Sequence, residues 1–486
     1  MTSLTGRVLD PTSPGWDAAR HNFRAAVDYD ELVPKNVVFC QKASDVQNAV
    51  RWARENAVPL RARSGRHSYE AYSLAPGALI VDVSEMDEIS VDPAAKTARI
   101  GAGTYCLDLH EQLYGVGLTI PAASGLSVGI AGLALGGGFG VVSRKYGLTC
   151  DNVVGVELVD ANGDLVTANA TENPDLYWAC RGGGGGNFGI VTSFDFRVNP
   201  VGLVAVCIVT WQWSSFIAVA DAFQHWAPAA TDDLSAFLRF AVGSAPGAGT
   251  ITLFAQLTPD SPAGLAQFTT LLAPMLAAAP PTGVNVQTMP YSAAAATFAG
   301  ADPLKPEWMI HPHDDTQLFK STSAIAYEPF PQQALELLKS QLELAPVQQG
   351  WETNEPSMVQ LLAGGGAPGR VPVDATAVPH RGAVCVVQYD AYWTDPDDQP
   401  VAENWIEGVR TSMLPYARNA YVNYVDSRIE DYLDAYYVSN LARLIEVKRA
   451  VDPDNVFSFQ QSIPTTAPAP KATPTAPKAP PASPNG

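Results

Sequence analysis

Glycine is concentrated in two runs of this chain, SGLSVGIAGLALGGGFG at 124–140 and RGGGGGNFGIVTSF at 181–194, and apolar residues flank both. Glycine weakens a helix or strand interior by roughly 0.5–1 kcal/mol per residue relative to alanine. A fold that keeps so many together uses the missing side chains, either to let backbone approach a ligand closely or to turn N–H groups toward anionic oxygens. A flexible surface loop is the alternative for each run, and the apolar surroundings argue against it. A third cluster, GAGTYC at 101–106, follows a strand pattern but lacks the third glycine and the βαβ context of a dinucleotide fingerprint.

From 34 to 200 short β patterns alternate with helical ones. PKNVVFC, PLRARS and GALIVDVSEM read as strands, and ASDVQNAVRWARENA reads as an amphipathic helix with Ser44 as its N-cap. VVGVELVDANGDLVTAN reads as a hairpin turning at Asn162-Gly163. Segment 201–415 changes texture: VAVCIVTWQW, AFLRFAVG, ITLFAQL and AVCVVQYDAYW read as strands, and stretches near 262–278, 330–344 and 402–414 as helices. The class is therefore α+β, with domains expected at 1–200 and 201–415, a further aromatic-rich and helical segment at 416–464, and a tail. The tail, 465–486, consists almost wholly of Pro, Ala, Thr, Lys and Ser and cannot bury a core.

The formal net charge of -19 argues against nucleic acid or anionic membranes as partners and favours a neutral or cationic small molecule. The six cysteines form no CxxC pair and read as reduced, mostly buried thiols. No signal peptide or apolar span is visible, so a cytoplasmic location is expected, or a secreted one if a leader has been removed. HPHDD at 311–315 offers His311, His313, Asp314 and Asp315, but without a distant third histidine it reads as a solvated or cleft loop rather than a metal site.

His67 sits in RARSGRHSYEAYS at a strand-to-loop transition, beside Gly65, with Arg61 and Arg63 adding positive charge. RARSGRHSY, the 124–140 run continuing into VVSRKYGLTCDNVVGVELVDANGDL, and DLYWACRGGGGGNFGIVTSFDFRV together resemble FAD-linked oxidases of the vanillyl-alcohol oxidase superfamily. AYVNYVDSR and YYVSNLARLIEVKRAVDPDNVFSFQQSIP narrow the resemblance to the berberine-bridge-enzyme-like branch, over 34–464.

The resemblance implies a two-part PCMH-type FAD-binding domain, built from the N-terminal part and the C-terminal segment, and an antiparallel-sheet substrate domain covered by helices. It implies FAD bonded through its 8α carbon to His67. Arg63, Ser64, Gly65, Arg66 and Ser68 would stand beside that bond. Gly125, Val128, Gly129, Gly132, Gly137, Gly138 and Gly140, then Gly189, Ile190 and Val191, and finally Asn423, would complete the cofactor site. Gly125 stands where many relatives carry a second attaching Cys, so attachment through His67 only is expected. Val128 matches the position that gates oxygen.

Tyr421, the first residue of Y-x-N, is implied as the base that takes a hydroxyl proton as hydride leaves. Its phenol needs help to ionise at neutral pH. Gln388 is retained on its strand, but Val386 replaces the Lys of plant relatives. Tyr69 would line the flavin face, while Tyr389 and Tyr424 read as packing residues. The activity expected is oxidation of a C–OH centre of a sugar, glycoside or other alcohol, with molecular oxygen reduced to hydrogen peroxide. A flavin dehydrogenase using another acceptor and a non-catalytic binding protein are the alternatives.

Overall fold

The computed structural model describes residues 2–24, 26–300, 318–346 and 356–467. The HPHDD segment and the Pro-rich tail beyond Thr466 and Ala467 lie outside them. The fold is α+β, and its described strands form three main sheets. In the first, Asn36–Phe39, Leu79–Asp82 and Leu60–Arg63 run parallel, with Arg7–Leu9 added antiparallel at one edge. The second is antiparallel, in the spatial order Ile89–Asp92, Thr97–Gly101, Ile190–Arg197, Val153–Val159 and Leu165–Asn169. The Val153–Val159 and Leu165–Asn169 strands are joined by a turn in which Gly163 takes φ +80°. The helix expected after Phe39 spans Ala43–Glu55, but Ser44 does not cap it. Asp45, at the third helical position, reaches back instead and accepts the N–H of Gln41, which fixes the chain entering the helix.

The third sheet has seven antiparallel strands: Gly283–Pro290, Leu203–Gln212, Thr250–Leu257, Leu234–Ala241, Met358–Ala363, Cys385–Tyr392 and Phe319–Ala326, in that order. Alternation divides its residues between two faces. One face carries Trp211, Leu238, Leu253, Val359, Val387 and Tyr389, buried under helices Phe216–Ala229, Phe268–Ala278, Gln332–Leu342 and Gln399–Met413. The other face turns toward the first two sheets. There Ile325 and Val386 pack with Tyr421, and Phe237 and Phe254 pack with Val141, Val142 and the Tyr291–Phe298 helix.

Past helix Gln399–Met413 the chain leaves this sheet. Ala420, Ile429, Tyr436, Tyr437, Leu444, Phe457 and Ile463 join the same core as the first two sheets. The junction is polar as well as apolar. Buried Lys448 donates to the carbonyls of Asn187 (2.8 Å) and Phe457 (2.6 Å) and pairs with Asp452 at 2.7 Å. All six cysteines are buried and unpaired. No helix among the described residues is long and apolar enough to cross a membrane.

Candidate active site

A cavity of about 290 Å³ runs between the first two sheets and the returning C-terminal segment. Its wall is built largely by the loop that follows strand Leu60–Arg63. Arg66 adopts a left-handed backbone (φ +63°) that turns this loop, and the loop packs directly on the 124–140 run. A Cβ on Gly65 would lie 2.2 Å from Gly129 N, and one on Gly129 would lie 2.6 Å from Gly65 N. Only two glycines allow that approach. The positive charge of Arg63 is paired: it meets Asp82 at 2.6 Å and donates to the Ala19 carbonyl, anchoring the loop.

His67 stacks on Phe23, with centroids 4.2 Å apart, and its Nε2 lies 2.9 Å from Ser127 Oγ. Burial lowers its pKa to about 4, so the imidazole is neutral at pH 7. Neither Phe23 nor Ser127 was singled out from the sequence. Ser127 could have been, because it lies between Gly125 and Val128 in the same run.

Tyr421 is fixed at both ends. Its N–H donates to Ser323 Oγ (2.9 Å) on the seven-stranded sheet. Its phenolic oxygen accepts the N–H of Gly138 (2.8 Å) and Nδ2 of Asn423 (2.9 Å). Burial raises the pKa of the phenol, and these two donors act in the opposite direction. The 136–138 triplet is hollowed around this motif: a Cβ on Gly136 would meet Asn423 Oδ1 at 1.9 Å, and one on Gly137 would approach the Tyr421 ring at 3.6 Å. Gly138 leaves room for Thr149, and Gly140 for the backbone of Ala122. Gly125, Gly137, Gly138 and Gly140 are not among the residues that line the cavity, and the Gly138 N–H is given to Tyr421. Gln388 also lies off the wall.

The remaining expected residues do share the wall: Arg63, Ser64, Gly65, Arg66, His67, Ser68, Tyr69, Val128, Gly129, Gly132, Gly189, Ile190, Val191, Tyr421 and Asn423. Tyr424, read as packing, is there too. Its ring lies parallel to Tyr69 at 6.3 Å and edge-on to Tyr421 at 5.3 Å. Tyr389, by contrast, is a core residue.

The sequence reading also missed Asp390. It is buried on the same sheet face as Gln388, whose Nε2 donates to Asp390 Oδ1 (3.1 Å), while Oδ2 has no hydrogen-bond partner. Burial raises its pKa to about 6. The spacing Gln388-x-Asp390 on a strand was the available signal, since residues two apart face the same side.

The wall suits a long ligand with flat rings and a charged middle. It offers aromatic side chains, the open backbone of 184–186, and Arg61 and Arg66, whose Nε atoms are buried without hydrogen-bond partners. Such a donor set fits FAD. Residues 34–169 match the "FAD binding domain" family, and 420–464 match "Berberine and berberine like". The chain is 38% identical to the FAD-linked oxidoreductase YgaK of Bacillus subtilis, over 95% of this chain and 98% of that one. The structure of Physcomitrella patens BBE-like 1 superposes with a TM-score of 0.86 at 31% identity, covering 96% of this chain and 98% of the other. That of Phl p 4, a grass pollen allergen with glucose dehydrogenase activity, gives 0.82 at 27%, covering 94% and 96%. An isoleucine-to-valine variant of Phl p 4 is a glucose oxidase. The chain belongs to the berberine-bridge-enzyme-like family of FAD-linked oxidoreductases.

Proposed function

We propose that this enzyme oxidises a C–OH centre of a sugar, glycoside or related alcohol, holds FAD through one covalent bond to His67, and uses molecular oxygen as acceptor. The observation that carries the reading is the setting of Tyr421, a phenol at the cavity wall whose oxygen receives two N–H donors. Both donors strengthen as negative charge grows on that oxygen, so they favour the phenolate. This supplies the assistance that Val386 cannot. Tyr421 Oη takes the substrate hydroxyl proton while the hydride leaves the same carbon. Asp390 and Gln388 orient the polar substrate, with Tyr69 and Tyr424 forming aromatic walls. FAD, held by the cavity wall, would supply the hydride acceptor, with oxygen as the terminal oxidant leaving as hydrogen peroxide.

His67 suits a covalent tether because it is neutral, buried, and oriented by Ser127 through Nε2, which leaves Nδ1 as the attaching nitrogen. Gly125 offers no second nucleophile. Val128, small and on the wall, suits an oxygen path, and the Ile-to-Val exchange that accompanies oxidase behaviour in the pollen relative is of the kind such a gate requires. Two measurements test the whole. After acid precipitation the yellow colour should remain with the protein pellet and be lost in His67→Ala. Anaerobic addition of a sugar panel should bleach the flavin, and readmitted air should restore it with one peroxide formed per turnover. Colour left in the supernatant refutes the tether. Reoxidation only by an artificial acceptor makes the enzyme a dehydrogenase.

A further inference from the structure

The register of the seven-stranded sheet sets side chains in rows across the face that holds Tyr421. Ser323, Gln388, Gln360 and Arg239 are direct Cα partners in sequence across four neighbouring strands. Ser323 accepts the backbone N–H of Tyr421, so the row begins beside the backbone that carries the base. Neighbouring strands lie about 4.8 Å apart, so the row reaches Arg239 about 14 Å from Ser323.

Beside it, Ile325, Val386, Leu362, Phe237 and Phe254 form an apolar row. The polar row is thus a strip across the sheet with hydrocarbon on one side and, on the other, the row Ser321, Asp390, Met358 and Ala241. Its last side chain is a cation. Arg239 Nε donates to Gln360 Oε1 (3.2 Å), and the guanidinium lies 5.0 Å from the Phe254 ring centre. Among the described residues it makes no ion pair with a carboxylate. Other half-buried or buried arginines here are engaged: Arg144 with backbone carbonyls, Arg381 with Asp151, and Arg24 with Glu403. Its stem is packed and its fork oriented by Gln360, which leaves the terminal N–H groups for bidentate recognition. Burial raises the pKa of Asp390, one row over on the same face, and the Arg239 charge is near enough to act in the lowering direction. Among the described residues, however, no carboxylate lies within ion-pair distance of the guanidinium, whose terminal N–H groups remain available.

We propose that Arg239 forms an anion subsite, so that the substrate is an alcohol or sugar bearing a carboxylate about one sugar unit away from the carbon that is oxidised. This rests on the reading of Tyr421 as the base and narrows the substrate class from neutral glycosides to acidic ones.

The test compares cellobiose with the same disaccharide whose non-reducing residue is glucuronic acid. Binding is measured by calorimetry on the holoenzyme with its flavin reduced beforehand, so that no turnover intervenes. The acidic probe should bind at least tenfold more tightly. Arg239→Met, which keeps an apolar stem over Phe254, should bring the two affinities within about twofold while leaving that for cellobiose unchanged. Equal binding of both probes by the wild type, no measurable binding of either, or a preference that survives Arg239→Met overturns the subsite. With the preference intact, failure of either probe to bleach oxidised flavin counts against the C–OH chemistry and leaves the subsite standing.

Discussion

Replacing Tyr421 with Phe tests the centre of the mechanism, because it removes one oxygen and keeps the ring against Phe139 and Tyr424. Two costs separate cleanly. The first is structural. The Gly138 N–H loses its 2.8 Å acceptor in a buried place, and an unsatisfied buried donor costs about 1–3 kcal/mol. Asn423 loses less, since its Nδ2 also donates to the Leu133 carbonyl at 3.0 Å. The melting transition should therefore fall by the equivalent of one lost acceptor, with flavin content unchanged. The second cost is kinetic. A positioned base contributes about 10²–10⁴-fold, which at 1.36 kcal/mol per decade is about 2.7–5.4 kcal/mol of barrier. Anaerobic stopped-flow reduction should slow by that factor, with the substrate Kd nearly constant. Asn423→Leu, which removes one of the two donors, should slow reduction by about tenfold, in keeping with a hydrogen bond to a charged group of about 1.5 kcal/mol. A Tyr421→Phe enzyme that reduces its flavin at near-normal speed would refute the assignment, and Asp390 or Tyr69 would take its place.

Three further outcomes are expected. Val128→Leu should slow reoxidation by oxygen and leave anaerobic reduction nearly intact; equal slowing of both half-reactions would make Val128 a packing residue. Asp390, whose pKa is raised to about 6, should give the reduction rate a limb that rises with pH through that value, and Asp390→Asn should flatten it; an unchanged limb in the variant assigns it elsewhere. His380 is buried with its pKa lowered to about 4 and its Nδ1 on the Tyr327 hydroxyl (2.8 Å), so the unfolded chain takes up a proton before the folded one does. Stability should be intact above pH 6.5 and fall toward pH 4 by up to about 3 kcal/mol, seen as a drop in Tm that His380→Asn lessens; identical acid profiles of the two proteins would count against it.

The parts of the site visible in the sequence are those that one contiguous stretch can encode. RSGRHS carries its turn, its glycine and its histidine together, and Y-x-N carries the phenol with its own donor. What was not visible depends on register or on distant segments. Asp390 and Arg239 join the site only through strand pairing across the seven-stranded sheet. Phe23 reaches His67 from a segment with no motif. The fit of Gly136 to Asn423, and of the Gly138 N–H to the Tyr421 oxygen, emerges only when residues 421–423 are laid against the 136–138 triplet. Strand Phe319–Ala326 escaped notice for a related reason: FKSTSAIA is buried on both faces, so it shows no alternation, and its serines and threonine look like a loop. The strand patterns of Leu203–Gln212, Leu234–Ala241, Thr250–Leu257 and Cys385–Tyr392 were legible because runs of β-branched and aromatic residues mark them.

The return of residues 420–463 to the first core has a consequence for how the protein is made. Ribosomes release the N-terminal strands, glycine runs and His67 long before Tyr421, Lys448 and Phe457 emerge, and domains begin to fold as they appear. Until that last segment arrives, the Asn187 carbonyl lacks Lys448, the triplet at 136–138 is an empty groove, and the phenol is absent. A prematurely terminated chain would thus lack both the closing wall of the cavity and the phenol of Tyr421. Activity is in effect a receipt for complete translation.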